Sequence, residues 1–187
     1  MAGRVADQTG GTSVTKPGRV LLIGMMGAGK TTTGHLLAER LGWPYLDSDD
    51  QVEITTGRTV PQIWKEDGEA AFRREETRVL EDACGRPGPA IIAVAGGAVL
   101  DPENRALIRR SGLVVWLRAD VRTLTARVGA GQGRPLLEGG PAAALTRLSA
   151  EREPVYAELA DLVLDVDRLS PRQVVERIVE ALEGAPG

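Results

Sequence analysis

Residues 24–31 read G-M-M-G-A-G-K-T and match the pattern G-x-x-x-x-G-K-[ST], which is typical of loops that bind nucleotide phosphates. The backbone N–H groups of such a loop surround an anion, and the following helix directs the positive end of its dipole at the same anion. Lys30 reaches the terminal phosphates, and the hydroxyl of Thr31 can ligate Mg²⁺. The residues that we expect to contact the nucleotide here are Gly27, Ala28, Gly29, Lys30, Thr31 and Thr32.

The segments on either side of this loop have the patterns that a phosphate-binding loop requires. The apolar run 20–23 is typical of a buried strand, and segment 32–41 carries leucines at helical spacing and stops before Gly42. A glycine-rich turn that binds nothing would have no use for Lys30 and Thr31. The order of strand, glycine loop and helix therefore favours a nucleotide site.

Two carboxylates, Asp47 and Asp49, follow the next predicted strand, which ends at residues 45–47. Ligands of open α/β sheets bind at the carboxyl ends of the strands, so we expect these carboxylates near the phosphates. One of them could hold Mg²⁺ through its waters, and the other could orient or deprotonate a substrate hydroxyl. The alternative is helix capping, since Ser48, Asp49 and Asp50 are all good N-cap residues.

Alternating strands and helices predict an α/β fold, a three-layer α/β/α sandwich with a five-stranded parallel sheet. The predicted strands are 19–23, 45–47, 90–94, 113–117 and 162–165. The predicted helices lie near residues 32–41, 48–55, 60–66, 68–83, 102–110, 120–128, 141–158 and 171–182. We expect a disordered tail at 1–18, a single domain at 19–184 and a mobile, glycine-rich surface segment at about 129–140.

Composition narrows the class of protein. The chain has 187 residues, of which 42% are hydrophobic, and a net charge of −3, which argues against a general binder of nucleic acid or membrane surfaces. It has no run of 18 apolar residues that would span a membrane, and its N-terminus lacks the apolar core of a signal peptide. The single cysteine, Cys84, forms no internal disulfide, and with the lone His35 it builds no zinc site. We expect a cytoplasmic monomer that binds small molecules.

Six motifs, taken in order, resemble those of the shikimate kinase family and span nearly all of the predicted domain. They read G-M-M-G-A-G-K-T at 24–31, L-D-S-D at 46–49, F-R-R-E-E at 72–76, A-G-G-A at 95–98, R-P-L-L at 134–137 and E-R-E-P-V-Y at 151–156. The resemblance implies a P-loop kinase fold. It also implies transfer of the γ-phosphate of ATP, with Mg²⁺, to the 3-hydroxyl of shikimate, in the pathway to chorismate and the aromatic amino acids.

The resemblance further implies roles on the nucleotide side of the site. Lys30 corresponds to the phosphate-binding lysine, and Thr31 and Asp47 correspond to the Mg²⁺ ligands. Arg134 corresponds to a catalytic arginine in a lid formed by residues 129–140, which closes over the ATP phosphates. The residues implied near the adenine are Arg127 and Pro171.

On the other side of the site, the resemblance implies a shikimate pocket built on helices between residues 48 and 83. Asp49 corresponds to the carboxylate that binds the shikimate hydroxyls and acts as the base. The remaining substrate residues that the resemblance implies are Arg73 and Arg152 at the shikimate carboxylate, and Gly96 and Gly97 in the loop that lines the pocket. Independently of this resemblance, arginine guanidinium groups bind carboxylates well because they donate two parallel hydrogen bonds.

Four residues have open interpretations. Arg73 and Arg152 each have glutamate neighbours, so both could instead form ion pairs on their own helices. Ala95 stands where the family usually has the first of three glycines, a change that strains the loop only if that position needs a positive φ. Trp64 lies either near the shikimate ring or in the core.

Two other functions compete with this interpretation. A gluconate kinase of the same P-loop group would also bind an anionic polyol. A nucleotide-dependent switch of the guanine-specific kind should carry N-K-x-D late in the chain, and this sequence has no such motif. Its D-x-x-G, at 82–85, precedes the third predicted strand instead of following it.

Overall fold

The computed structural model describes residues 18–129, 135–137 and 140–184, which contain five strands and eight α-helices. The strands are β1 (Arg19–Ile23), β2 (Tyr45–Asp47), β3 (Ala90–Ala93), β4 (Leu113–Arg118) and β5 (Leu162–Asp165). The helices are α1 (Lys30–Leu41), α2 (Ser48–Thr56), α3 (Val60–Asp67), α4 (Glu69–Gly85), α5 (Pro102–Ser111), α6 (Val121–Val128), α7 (Pro141–Leu159) and α8 (Pro171–Glu183).

All five strands form one parallel sheet in the order β2-β3-β1-β4-β5. From β1 the chain passes to β2 at one edge of the sheet and returns to β3, and from β3 it crosses to β4 and then to β5 at the other edge. The direction in which strands are added therefore reverses at the neighbouring strands β1 and β3. Such a reversal opens a crevice at the carboxyl ends of the two strands, where ligands of α/β proteins bind. The helices that flank the sheet complete the predicted α/β class.

The predicted elements are confirmed with small differences at their ends. Helix α1 begins at Lys30, two residues earlier than predicted, because the glycine loop passes directly into the first helical turn. Strand β4 extends to Arg118. Residues 1–17 of the predicted tail at 1–18 lie outside the described residues. So do residues 130–134, 138 and 139 of the predicted lid, among them Arg134.

Apolar side chains form two separate clusters. The larger, which we call the sheet core, surrounds β1, β3 and β4. The smaller, which we call the small core, lies among α2, α3 and α4, and its buried members are Val52, Ile63, Phe72 and Val79. Among the described residues, no helix has both the length and the apolar character needed to cross a membrane.

Candidate active site

The loop between β1 and α1 forms a concave site of backbone N–H groups. Gly27 and Gly29 have positive φ values of 82° and 96°, which glycine adopts without steric cost. Gly29 is the N-cap of α1 and supplies no capping side chain, so the first turn of α1 directs its amides at the cavity in front of it. Lys30 Nζ donates to the carbonyl oxygens of Gly24 and Met25 at 2.9 and 3.2 Å. A cavity of about 490 Å³ opens over this loop.

Asp47, at the end of β2, uses its two carboxylate oxygens differently. Oδ2 lies 3.3 Å from the Thr31 hydroxyl and accepts a hydrogen bond from the Tyr45 hydroxyl at 3.0 Å. Oδ1 accepts from the backbone N–H of Asp49 at 3.1 Å and so caps α2. The N-cap is therefore Asp47 itself and not Ser48, Asp49 or Asp50, which the sequence offered as cap residues.

Tyr45 holds Asp47 from a half-buried position. Burial, with the charge of Asp47 as the next cause, raises the pKa of the Tyr45 hydroxyl well above its ordinary value, so it stays protonated and remains a donor. The His35 ring packs against the Tyr45 ring at 4.4 Å between centroids. A Cβ at Gly34 would overlap the Tyr45 ring, so the glycine in α1 makes room for it.

The glycine loop after β3 provides space for two arginines. No non-glycine residue among those described has a positive φ, so Ala95 is unstrained, and Gly97 has a φ of −91°. A Cβ at Gly97 would lie 2.7 Å from Arg73 Nη2, and one at Gly96 would lie 3.1 Å from Arg152 Nη1. Gly96 and Gly97 are therefore needed because a side chain at either position would crowd an arginine. They are not needed for a backbone conformation that other residues avoid.

Arg73 makes the ion pairs that its helix offers and still faces a cavity. Its guanidinium contacts Glu76 at 2.5 Å and Glu69 at 3.1 Å. It also lies 5.9 Å from the centroid of the Trp64 ring and 5.5 Å from that of Phe72. Trp64 is partly buried and lines the same cavity, so it belongs both to the border of the small core and to the wall of the site.

Arg152 is almost wholly buried. Its exposed fraction is 2%, and its Nε has no hydrogen-bond partner among the described residues. Within that part of the chain it forms no salt bridge with its neighbours Glu151 and Glu153. Because a buried cation without an opposite charge is costly, Arg152 is suited to receive an anion from the cavity that it lines.

Glu76 is an equally buried carboxyl group beside these arginines, with an exposed fraction of 2%. Burial raises its pKa to about 7, against the opposing effect of Arg73. The negative charge of Asp49 also raises this pKa, and that of Arg152 lowers it. The charge of Glu76, and with it the strength of its ion pair with Arg73, therefore depends on pH near neutrality.

The cavity that these residues surround, of about 270 Å³, adjoins the one over the phosphate loop. Met26, Lys30 and Asp49 line both. The first cavity is lined by the predicted nucleotide and metal residues Gly27, Ala28, Gly29, Lys30, Thr31, Thr32, Asp47, Arg127 and Pro171. The second is lined by the predicted substrate residues Asp49, Arg73, Gly96, Gly97 and Arg152. The described residues contain no cluster of three or more His, Cys, Asp or Glu side chains that would hold a metal on its own.

A family model described as shikimate kinase matches residues 26–183. This chain belongs to the shikimate kinase family. The shikimate kinase of Symbiobacterium thermophilum is 46% identical over 168 residues, which cover 88% of this chain and 95% of that protein. That of Thioalkalivibrio sulfidiphilus is 44% identical over 166 residues, covering 88% and 87%. A solved shikimate kinase from Acinetobacter baumannii, in complex with shikimate, superposes with a TM-score of 0.84 at 36% identity, covering 90% of this chain and 93% of that one.

Membership of the shikimate kinase family confirms the predicted enzyme class, an ATP-dependent phosphotransferase. The gluconate kinase alternative has weaker support. A gluconokinase from Sinorhizobium meliloti superposes with a TM-score of 0.56 at 19% identity, which shows a shared fold alone.

Three residues of this shikimate kinase family member contribute to the site without having been predicted from the sequence. Tyr45 carries no motif signal. Ser48 lies within the motif L-D-S-D, but its contact was not predicted: its Oγ accepts a hydrogen bond at 2.8 Å from the N–H of Ala95 and so ties α2 to the glycine loop. In the sequence, Glu76 is only one of the glutamate neighbours with which Arg73 could form an ion pair. Its burial could have been predicted from its spacing to Phe72 and Val79 on one face of α4.

Proposed function

We propose that this protein transfers the γ-phosphate of ATP to the 3-hydroxyl of shikimate, giving shikimate 3-phosphate and ADP. The observation that carries the proposal is the convergence of Arg73 and Arg152 on Gly96 and Gly97, in a cavity that adjoins the phosphate loop. Two guanidinium groups there can bind a carboxylate through charge-assisted hydrogen bonds, and the backbone N–H groups of the adjoining loop can bind the phosphates of ATP. The solved A. baumannii structure in complex with shikimate supports the choice of acceptor.

In this proposal the phosphates of ATP lie on the run 27–32, and Lys30 contacts the terminal ones. Lys30 then exchanges its bonds to loop carbonyl oxygens for bonds to phosphate oxygens. Arg127, which donates to the Gly27 carbonyl oxygen at 3.3 Å, and Pro171 line the same cavity on the adenine side. The backbone cradle and the ammonium group together stabilise the charge of the transferring phosphoryl group.

Thr31 and Asp47 would hold Mg²⁺. Their side-chain oxygens lie 3.3 Å apart at the edge of the phosphate cavity, and one hydroxyl with one carboxylate suits an ion that keeps most of its waters. When bound, Mg²⁺ neutralises charge that develops on the phosphate oxygens. Tyr45 holds Asp47 Oδ2 towards this site.

Asp49 is the residue proposed to align the attacking hydroxyl. It lines both cavities, so it lies where an acceptor hydroxyl would meet the γ-phosphate. Arg73 and Arg152 orient shikimate by its carboxylate and leave its hydroxyls facing Asp49. Most of the catalytic effect in this arrangement comes from positioning two substrates in line and from electrostatic stabilisation.

Two further parts of the proposal concern the lid and the compartment. Arg134, outside the described residues, is proposed to close over the ATP phosphates and exclude water. A single buried cysteine, Cys84, suits the reducing cytoplasm.

A coupled assay of ADP release tests the acceptor. The pure protein should consume ATP in the presence of shikimate and Mg²⁺, and phosphorus NMR should identify shikimate 3-phosphate. A parallel reaction with gluconate should stay at the background rate, and Lys30→Ala should reduce shikimate turnover to near that background. Phosphorylation of gluconate without phosphorylation of shikimate would contradict the proposal.

A further inference from the structure

We infer that Tyr156 is a positioning residue of the shikimate pocket, a role that rests on the proposed function. The Tyr156 hydroxyl holds the guanidinium of Arg152 and the carbonyl group of Gly96 in the arrangement that receives the substrate carboxylate. Tyr156 ends the motif at 151–156, and the residue roles given above leave it without a function. The side chain lies on α7, one turn after Arg152, and its exposed fraction is 0%.

The first contact that supports this role joins α7 to the glycine loop. Tyr156 Oη donates to the Gly96 carbonyl oxygen at 2.7 Å. A hydroxyl has one proton, so this short bond fixes its direction and leaves the oxygen lone pairs for a donor. Met25 Sδ, in the phosphate loop, lies 3.8 Å from the same oxygen.

The second observation concerns Arg152, whose positive charge lies close enough to the same hydroxyl to lower its pKa. A Cβ built on Gly96 would lie 3.1 Å from Arg152 Nη1 and 3.2 Å from Tyr156 Oη, so both groups converge on this one α-carbon. Arg152 has no salt bridge with the glutamates beside it in the described residues. The hydroxyl is therefore well placed to orient this buried cation.

The hydroxyl keeps its proton under all ordinary assay conditions. Burial raises the pKa of Tyr156 to about 12, although the positive charge of Arg152 opposes the shift. The Trp116 ring, at 5.8 Å between centroids, packs against the tyrosine ring, so a phenylalanine would keep this packing and lose only the hydroxyl. Tyr156→Phe is accordingly a narrow test of the hydroxyl.

We expect Tyr156→Phe to raise the KM for shikimate about tenfold, the effect of losing one hydrogen bond to a charged group. The KM for ATP and kcat should stay within about twofold of the wild type, because the phosphate cradle is unchanged. The matched control is Ser149→Ala, which removes a buried hydroxyl two turns earlier on the same helix. Ser149 Oγ has no hydrogen-bond partner in the described part of the chain, so its loss should leave both KM values unchanged.

A substrate comparison separates positioning from loss of stability. The methyl ester of shikimate lacks the anionic carboxylate, so the wild type should use it poorly and Tyr156→Phe should add no further penalty. An equal penalty on acid and ester would overturn the inference, since a general loss of structure affects both alike. Circular dichroism and a denaturant midpoint establish that each variant is folded.

Gly96→Ala provides a second test if Tyr156→Phe does not fold. Its Cβ would press on both the hydroxyl and the guanidinium and leave the tyrosine ring in place. It should raise the KM for shikimate and not that for the ester. If the wild type is active and the folded Tyr156→Phe and Gly96→Ala variants keep its KM for shikimate, the inference about Tyr156 is wrong and the proposed function stands. A wild type without shikimate kinase activity would contradict the proposed function itself.

Discussion

At the scale of single residues, the carboxyl group of Glu76 links the substrate pocket to pH. It faces Arg73 on its own helix, Asp49 from α2 and Arg152 from α7, and its pKa of about 7 lies above the ordinary value, chiefly because of burial. Between the ordinary value and about pH 7, the folded chain holds this proton and the unfolded chain does not. The contribution of Glu76 to stability is therefore full at low pH and lost as the pH rises through that window.

This linkage predicts the pH dependence of substrate binding. A shikimate carboxylate near Glu76 favours its protonated form, so the KM for shikimate should rise as the pH goes from about 6 to about 8. Glu76→Gln keeps an acceptor for Arg73 and cannot titrate, so its KM should change less over this range. The measurement is a pH profile at saturating ATP. An unaltered slope in Glu76→Gln would refute the assignment.

Arg73→Ala tests the carboxylate site directly. Removing the guanidinium should raise the KM for shikimate about 10- to 100-fold, as expected when one partner of a charged, partly desolvated pair is lost. Arg74→Ala is the matched control, since it removes the same charge from an exposed position on the same helix. Steady-state kinetics with varied shikimate would show the difference. An unchanged KM in Arg73→Ala would remove this residue from the proposed site.

Much of the site could be predicted from the sequence because its residues occur in motifs at strand ends. The phosphate loop, Asp47, Asp49 and the glycine pair all follow strands whose carboxyl ends meet. Ser48 and Tyr156 tie α2 and α7 to the glycine loop through contacts between distant segments, and no spacing rule encodes these contacts. Tyr156 and Gly96, for example, are 60 residues apart.

At the scale of elements, the glycine loop between β3 and α5 decides how closely α4 can approach the sheet. A Cβ at Gly97 would lie 2.8 Å from Arg73 Cζ and would push the guanidinium out of the pocket. Ala95 already carries a Cβ, which is buried with a 4% exposed fraction, and its N–H is bonded to Ser48. A Cβ is therefore accommodated at position 95, is crowded at position 96 and would displace Arg73 at position 97.

Gly97→Ala and Ala95→Gly form a matched pair that tests this difference. Gly97→Ala should raise the KM for shikimate strongly and leave the KM for ATP nearly unchanged, because it displaces Arg73. Ala95→Gly should restore the usual three glycines without improving activity, and should cost about 0.5–1 kcal/mol of stability. Kinetics and denaturant unfolding measure both effects. Higher affinity for shikimate in Ala95→Gly would show that the alanine does constrain the loop.

The element ends show where sequence patterns stop being informative. Apolar runs and helical periods predicted every strand and α-helix in the described residues, but not the short 3₁₀ helices at Ala98–Leu100 and Pro135–Leu137. The N-cap of α2 was misplaced among four consecutive polar residues, Asp47 to Asp50, each of which has suitable cap chemistry. Only the backbone conformation, extended at Asp47 and helical from Ser48, distinguishes them.

At the scale of the whole molecule, each of the two apolar clusters supports a different part of the site. The phosphate loop belongs to the sheet core, since Met25 and Ala28 are buried there. Arg73 is carried by a helix whose Phe72 and Val79 belong to the small core. The second half of α4 is buried in the sheet core through Leu80, Ala83 and Cys84. Because few buried side chains hold α2, α3 and the first half of α4 together, this part should open more readily than the sheet.

Ile63→Ala tests this division. Ile63 is wholly buried in the small core, and its truncation should cost about 2–5 kcal/mol, concentrated in α2 to α4. Hydrogen exchange followed by mass spectrometry should show faster exchange in these helices, with weaker shikimate binding and nearly unchanged ADP binding. Ile108→Ala, in the sheet core, is the comparison and should speed exchange throughout. Uniform acceleration in both variants would mean that the molecule opens as one unit.

The shared boundary between the two cavities offers a route to inhibitors of this enzyme. Met26, Lys30 and Asp49 line both spaces, so one molecule can occupy both without crossing a wall of protein. A linker that joins a phosphate mimic to a cyclic carboxylate makes the second contact intramolecular, which raises the local concentration of that half. Its length is set by the space between Lys30 and the arginine pair. Many kinases share the phosphate loop, and the carboxylate half would provide the selectivity.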